Sequence, residues 1–114
     1  MNTKIIGDVG EKQAQKYLKK NKYKILETNY KNKIGEIDII CFDKVEKQLV
    51  FVEVKAKSSD EFGLPREMVD ERKQRKIRQV ATAYLMSKNA LDIDCRCDVI
   101  EILAGELTHI KNAF

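Results

Sequence analysis

The stretch that decides the fold is Gly35-Glu36-Ile37-Asp38-Ile39-Ile40-Cys41-Phe42, followed by Gln48-Leu49-Val50-Phe51-Val52-Glu53-Val54-Lys55-Ala56. Both runs are rich in β-branched and aromatic residues and free of proline, so both read as strands. The polar residues Asp43–Gln48 between them fit a hairpin loop. Side chains alternate faces along a strand. Ile37, Ile39 and Cys41 then share one face of the first strand, and Glu36 and Asp38 the other. On the second strand Val50, Val52, Val54 and Ala56 share one face, and Leu49, Phe51, Glu53 and Lys55 the other. Folding the hairpin symmetrically sets Phe42 opposite Leu49, Asp38 opposite Glu53 and Glu36 opposite Lys55. Opposed Cβ atoms lie roughly 4.5–5.5 Å apart. Two carboxylates at that distance repel unless a proton or a cation lies between them. A hard divalent cation with oxygen ligands, Mg²⁺ first among them, removes the repulsion. The plainer alternative is a wet sheet face with an exposed Glu36–Lys55 ion pair worth at most about 1 kcal/mol. Leu49 and Phe51 on the same face as Glu53 speak against a simply solvated surface.

Upstream, the spacing predicts a helix over Asp8–Lys20, with Asp8 as N-cap and Glu11 at the capping-box position. Ala14, Tyr17 and Leu18 form its inward face, and Glu11 lies on that face too. A strand is expected over Tyr23–Tyr30, with the two central strands spanning about Ile34–Phe42 and Gln48–Ala56. Downstream, Lys57–Arg66 reads as a polar loop holding Gly63 and Pro65. A long helix over Val69–Ser87 carries the stripe Ile77, Val80, Ala81, Tyr84 and Leu85, with Lys73 at its edge. Two strands, Arg96–Leu103 and Leu107–Lys111, turn at Gly105. The order α-β-β-β-α-β-β predicts an α/β fold with a mixed central β-sheet flanked by helices.

The 114 residues fit one domain, 1–114, able to bury a core without a disulfide or metal staple. Hydrophobic residues make up 43% and charged residues 35%, a globular balance with a heavily charged surface. The net charge, 22 − 18 = +4, is a mild excess compatible with a polyanion partner. No apolar run approaches a membrane span, and MNTKIIGDVGE lacks the long apolar core of a signal peptide. Three cysteines, an odd number, fit a reduced cytoplasm better than a disulfide framework. Cys95 and Cys97 alternate to opposite faces and make poor joint metal ligands. His109 has no Cys or His partner in sequence and reads as structural or exposed. Asp98 pairs with Arg96 or orients a neighbour. The absence of a Gly-rich phosphate loop excludes a P-loop nucleotide hydrolase.

Gly35-Glu36-Ile37-Asp38 followed by Phe51-Val52-Glu53-Val54-Lys55 resembles the Asp…Glu-x-Lys motif of the PD-(D/E)XK nuclease superfamily. The wider pattern is similar to the YraN-like bacterial proteins, related to archaeal Holliday-junction resolvases. It adds Gly7…Gly10-Glu11…Ala14…Tyr17-Leu18, Asn29, Lys73, Ala81…Tyr84-Leu85, Arg96…Asp98-Val99 and the ending Asn112-Ala113-Phe114, nearly the whole chain. Two positions depart from the pattern: Lys33-Ile34 precede Gly35 where an Arg is more usual, and Cys97 stands where Phe is common. The resemblance implies a restriction-endonuclease-like fold and a metal-dependent endonuclease that hydrolyses DNA phosphodiester bonds, branched DNA among its targets.

On that basis Asp38 and Glu53 are the expected ligands of Mg²⁺ or Mn²⁺, with the Val54 carbonyl as a third. Glu11 would act through a water or hold a second ion. Lys55 would position or activate the attacking water, or neutralise the phosphate. Basic residues cluster at Lys16–Lys24 and Arg72–Arg78, commonly a solvated helix surface. As phosphate contacts they are represented by Lys20, Arg72, Lys73, Arg75 and Lys76. The commoner meaning of Lys73 alone is a solvated helix-edge lysine. The modest charge and small size favour a partner or a homodimer to hold a duplex. The rival expectation is a module of the same fold that grips nucleic acid or protein without cutting. Acidic groups beside phosphate favour the enzyme, since a pure binder has no use for them.

Overall fold

The computed structural model describes residues 3–57 and 69–114, with side chains from Ile5 onward. Its elements are α1 (Thr3–Lys20), β1 (Tyr23–Lys31), β2 (Glu36–Asp43), β3 (Gln48–Lys57), α2 (Glu71–Ser87), β4 (Cys95–Leu103) and β5 (Glu106–Ile110). This is the expected order. The expected loop after Lys57, with Gly63 and Pro65, lies outside the described residues.

Two helix starts differ from expectation. Helix α1 begins at Thr3, so Asp8 sits exposed inside the helix and caps nothing. A single interior glycine such as Gly7 costs only about 1 kcal/mol relative to alanine, too little to stop a helix. Helix α2 begins at Glu71, where the Asp70 side chain accepts the Lys73 main-chain N–H at 2.9 Å. Val69 lies just outside that cap and is buried in the core.

The sheet runs β1-β2-β3-β4-β5, with β3 and β4 parallel and every other neighbouring pair antiparallel. Helix α2 is the crossover that a parallel pair requires. The helices cover opposite faces. Ala14 and Leu18 of α1 pack on Ile39, Cys41, Val50, Val52, Ile100 and Ile102. Ile77, Val80, Ala81, Tyr84 and Leu85 of α2 pack on Ile40, Leu49, Phe51 and Val99. The apolar stripe of α2 is the one its spacing implied. Close approach of α1 depends on Gly10, where an added Cβ would lie 2.5 Å from the Ala56 Cβ. Ala104 and Gly105, both at positive φ (50° and 85°), make the two-residue turn from β4 to β5.

The β2–β3 hairpin has the register expected of it: Phe42↔Leu49, Cys41↔Val50, Ile40↔Phe51 and Ile39↔Val52. Alternation fails at one point. Ile39 and Cys41 lie on the α1 face, but Ile37 joins the α2 face, beside Phe51 and Tyr84. Between them stands Asp38. The pairs Thr28↔Ile39 and Tyr30↔Ile37 bracket Asn29, which has φ 51°. The β1–β2 register itself is even across Asn29 and shifts only between Ile25 and Glu27. Asp38 stands at the point where β2 changes faces.

Candidate active site

Asp38 occupies the end of the regular β2–β3 ladder. Its Oδ2 accepts the Val54 main-chain N–H at 2.8 Å, a donor that a continuous ladder would give to a backbone carbonyl. Pairing stops at Ile39↔Val52, so the strands part beyond it and leave room between them. Glu53 stands opposite, only 7% exposed. Its carboxyl shares a hydrogen bond with that of Asp38. The sequence-derived opposition of the two acids is thus present as direct contact.

The electrostatics follow from that contact. Burial, the Glu53 charge and the shared hydrogen bond together push the Asp38 carboxyl up to about 7, against the pull of the Val54 N–H and Lys73. Lys73 Nζ lies 3.2 Å and Lys55 Nζ 3.7 Å from Glu53 Oε1. Burial and the neighbouring Lys73 ammonium lower the Lys55 amine. Burial would lower Lys73 as well, but the hydrogen bond to Lys55 and the charge of Glu53 raise it. The expected cross-strand Glu36–Lys55 pair is replaced: Lys55 turns along its own strand to Glu53, because the parted strands no longer oppose positions 36 and 55. Lys73 is no solvated helix-edge lysine either, since it reaches the acid pair.

Glu36, Asp38, Glu53, Lys73, Lys76 and Ile77 line a cleft of about 260 Å³. Gly35 holds α2 close to this cleft, since a Cβ there would meet Lys76 Cγ and Val80 Cγ2, each at 3.3 Å. A larger apolar groove of about 460 Å³ lies elsewhere, beside Ile5, Val9 and Gly105, and has no carboxylate in its walls.

Glu11 feels Asp38 and Glu36 across the sheet edge. Burial and those charges raise it, and a hydrogen bond from the Asn29 side chain partly offsets the rise. Among the described residues, however, no three His, Cys, Asp or Glu side chains form a metal-holding group. Glu11 therefore stands outside direct contact distance of a common ion with Asp38 and Glu53. Arg72, Arg75 and Lys76 are exposed on the first two turns of α2, and of these Lys76 lines the cleft. Lys20 is not brought to this site. It ends α1 nine residues after Glu11, about 13 Å along the helix axis, on the opposite face of the sheet.

The residue set fits a divalent cation in its chemistry. Two acids that share a proton offer, on its release, two adjacent anionic oxygens, and the Val54 carbonyl lies on the same strand. Oxygen-only donors of this kind suit Mg²⁺ or Mn²⁺.

A second polar cluster was foreseen only in its Arg96–Asp98 pair. Arg96 donates from Nε to both Asp98 oxygens (3.0 and 3.2 Å), from Nη1 to Asp43 (2.9 Å) and Gln48 (2.8 Å), and from Nη2 to the Tyr23 hydroxyl (2.8 Å). Asp98, fully buried, also meets His109 Nε2 at 2.7 Å and takes the Asn112 N–H at 2.9 Å. The Tyr17 hydroxyl reaches His109 Nδ1 at 2.9 Å. Burial pushes Asp98 up, but the bonds from His109, Arg96 and Asn112 outweigh it and hold the carboxyl below its ordinary value. His109 is structural, as one of its two expectations had it, and Asp98 does pair with Arg96. The one available signal was Arg96 and Asp98 standing two apart in an apolar strand. Cys95 is exposed and Cys97 buried on β4; standing two apart in one strand they share a face, which corrects the expectation of opposite faces.

No described helix is long and apolar enough to cross a membrane. The model of the uncharacterised protein family UPF0102 matches residues 10–102. A UPF0102 protein of Caldanaerobacter subterraneus subsp. tengcongensis is 48% identical over 121 residues, covering all of this chain and 98% of that protein. A UPF0102 protein of Clostridioides difficile is 48% identical over 116 residues, covering both chains completely. One from Fusobacterium nucleatum subsp. nucleatum is 45% identical over 112 residues, covering 98% of this chain and 92% of its own.

Proposed function

Because the chain belongs to the uncharacterised protein family UPF0102, the YraN-like group, its name carries no chemistry, and we propose from the site that it is a divalent-metal-dependent DNA endonuclease. The observation that carries this is the contact between Asp38 and Glu53 at the end of a broken ladder, with two lysines on the same carboxylate. A stability role does not explain it. Two buried acids in contact cost free energy, and the fold would be better served by an apolar pair.

Asp38, Glu53 and the Val54 carbonyl would hold Mg²⁺ or Mn²⁺. The bound ion would polarise the scissile phosphate and make a coordinated water more acidic. The chain's own residues do the rest. The Val54 N–H fixes the Asp38 carboxylate, so its second oxygen faces the cleft in one orientation. Lys55, with its lowered amine, stands on the attacking side to orient a water or take its proton. Glu11 would act on the ion only through a water. Arg72, Arg75 and Lys76 bind flanking phosphates without reading bases. The +4 charge leaves duplex binding to several such contacts or to a second copy, and a cytoplasmic setting follows from the cysteine usage. Branched DNA is the favoured substrate class, from the resemblance to resolvases.

One observation favours the second reading, a binding module that does not cut: among the described residues no three His, Cys, Asp or Glu side chains form a metal-holding group. The test is a cleavage panel of single-stranded, duplex, flap and four-way DNA with Mg²⁺ and with Mn²⁺. Cutting of any of them that requires the ion supports the enzyme. Binding of all four without cutting favours the module.

A further inference from the structure

Lys73 is oddly placed for a helix residue. It stands in the first turn of α2, three residues after the Asp70 cap, where the helix dipole disfavours a cation. Its own N–H is tied to Asp70, so its Cα is fixed, while its side chain is 41% exposed and spans to another element. It ends 3.2 Å from Glu53 Oε1, closer than Lys55, which comes from the same strand as Glu53. Glu53 thus has two ammonium groups within 4 Å of one carboxylate oxygen. Lys55 is bound to the site by its place on β3. Lys73 is the one free to leave, since its side chain is partly open to solvent and its neighbour Lys76 lines the same cleft.

We propose that Lys73 is an exchangeable counter-ion. It holds Glu53 in the metal-free protein, gives up that place to a divalent cation, and then takes a phosphate of the substrate. This rests on the metal reading above. The charge balance supports each state. Without metal, the Glu53 carboxylate faces two ammonium groups. With a divalent cation and both carboxylates ionised, the acids and the ion cancel, and Lys73 and Lys55 are left as uncompensated positive charges. That is the arrangement an incoming phosphodiester neutralises.

The consequence runs opposite to that of an ordinary basic residue. Removing Lys73 removes a competitor of the metal, so the metal binds more tightly. It also removes a phosphate contact, but only in the loaded protein. The experiment compares wild type with Lys73→Met, Lys73→Arg and Lys16→Met as an exposed charge control. Mn²⁺ is titrated calorimetrically, and affinity for a short duplex is measured in EDTA and in Ca²⁺. The expected result is Mn²⁺ affinity raised on the order of tenfold in Lys73→Met and unchanged in Lys73→Arg and Lys16→Met. Duplex affinity in Lys73→Met falls in Ca²⁺ and stays at the wild-type value in EDTA. Unchanged or weaker Mn²⁺ binding in Lys73→Met, with normal binding in wild type, overturns the counter-ion and leaves the metal site standing. Equal losses of duplex affinity with and without Ca²⁺ also overturn it, marking a plain surface lysine. If neither wild type nor Lys73→Met binds Mn²⁺, the metal reading falls, and the counter-ion with it.

Discussion

The Asp38 carboxylate takes the Val54 main-chain N–H at 2.8 Å, and in doing so it ends the β2–β3 ladder and fixes itself against Glu53. One hydrogen bond thus opens the strands and aims an acid into the gap. A side chain replacing a ladder acceptor costs regular pairing, and the surrounding core sustains that cost: Ile39, Phe51 and Val52 are essentially fully buried next to it.

The first consequence concerns pH. Asp38 is raised to about 7 from 3.8, so the folded state keeps a proton that the unfolded chain releases. Between about pH 4 and pH 7 the folded state binds more protons, and this group's contribution falls as pH rises. Asp38→Asn removes the penalty while its amide oxygen can still accept from Val54. At pH 8 in EDTA it should stabilise the protein by about 1 kcal/mol or more, roughly 4–8 °C in Tm. At pH 4 the difference should vanish. A destabilised variant at pH 8 contradicts the shared-proton pair.

Metal should act on the same pair. Mg²⁺ or Mn²⁺ binds the native site and not the unfolded chain, so it raises Tm by mass action. Thermal melts across a metal titration should show the rise in wild type and its loss in Asp38→Asn. An unchanged shift in the variant places the ion elsewhere.

The Arg96 cluster is the structural counterpart. Asp98 and Asp43 are both held below the ordinary carboxylate value, burial being outweighed by hydrogen bonds from Arg96, His109 and main-chain N–H groups. Their stabilisation is present above the unfolded carboxylate range and is lost as pH falls through the lowered values. Arg96→Met leaves both acids buried without their main partner and should cost about 3–5 kcal/mol in urea unfolding at pH 7. The loss should shrink below pH 4. A loss under about 1 kcal/mol rejects the cluster as a fold determinant.

Gly10 tests the packing of α1. An added methyl at 2.5 Å from the Ala56 Cβ forces the helix off the sheet, at a cost of about 1–3 kcal/mol for Gly10→Ala. Ala56→Gly in the same chain removes the opposing atom and should recover most of the loss. Additive losses in the double variant deny that these two positions touch.

Much of this was legible in the chain and some was not, for identifiable reasons. The hairpin register followed from the hydrophobic alternation of Ile39–Phe42 against Leu49–Val52, because a one-residue slip would expose the whole set. The α2 stripe followed from its period. Ile37 broke the pattern by joining the α2-side core beyond the last regular β2–β3 pair, a change that the alternation of β2 alone does not contain. The Glu36–Lys55 pair failed because regular β2–β3 pairing stops at Ile39↔Val52. The start of α1 was missed because Asp8 is a good cap in isolation, whereas the helix simply continues through it. Lys73 and His109 were misjudged or left open because their partners, Glu53 and Asp98, come from distant segments that spacing cannot bring together.

The most direct measurement is single-turnover cleavage of the DNA structure that the panel selects, together with titrated binding of the same DNA, for wild type, Asp38→Asn and Lys55→Ala. Lys55 is one of 22 basic residues, so it adds little to diffuse phosphate binding, but it stands 3.7 Å from Glu53 where charge develops in the reaction. Both variants should bind DNA nearly as wild type does and lose on the order of a hundredfold or more in rate. Equal, modest declines in binding and cutting, or cutting that survives in Asp38→Asn, would contradict the assignment of this site as the place where the phosphodiester bond is broken.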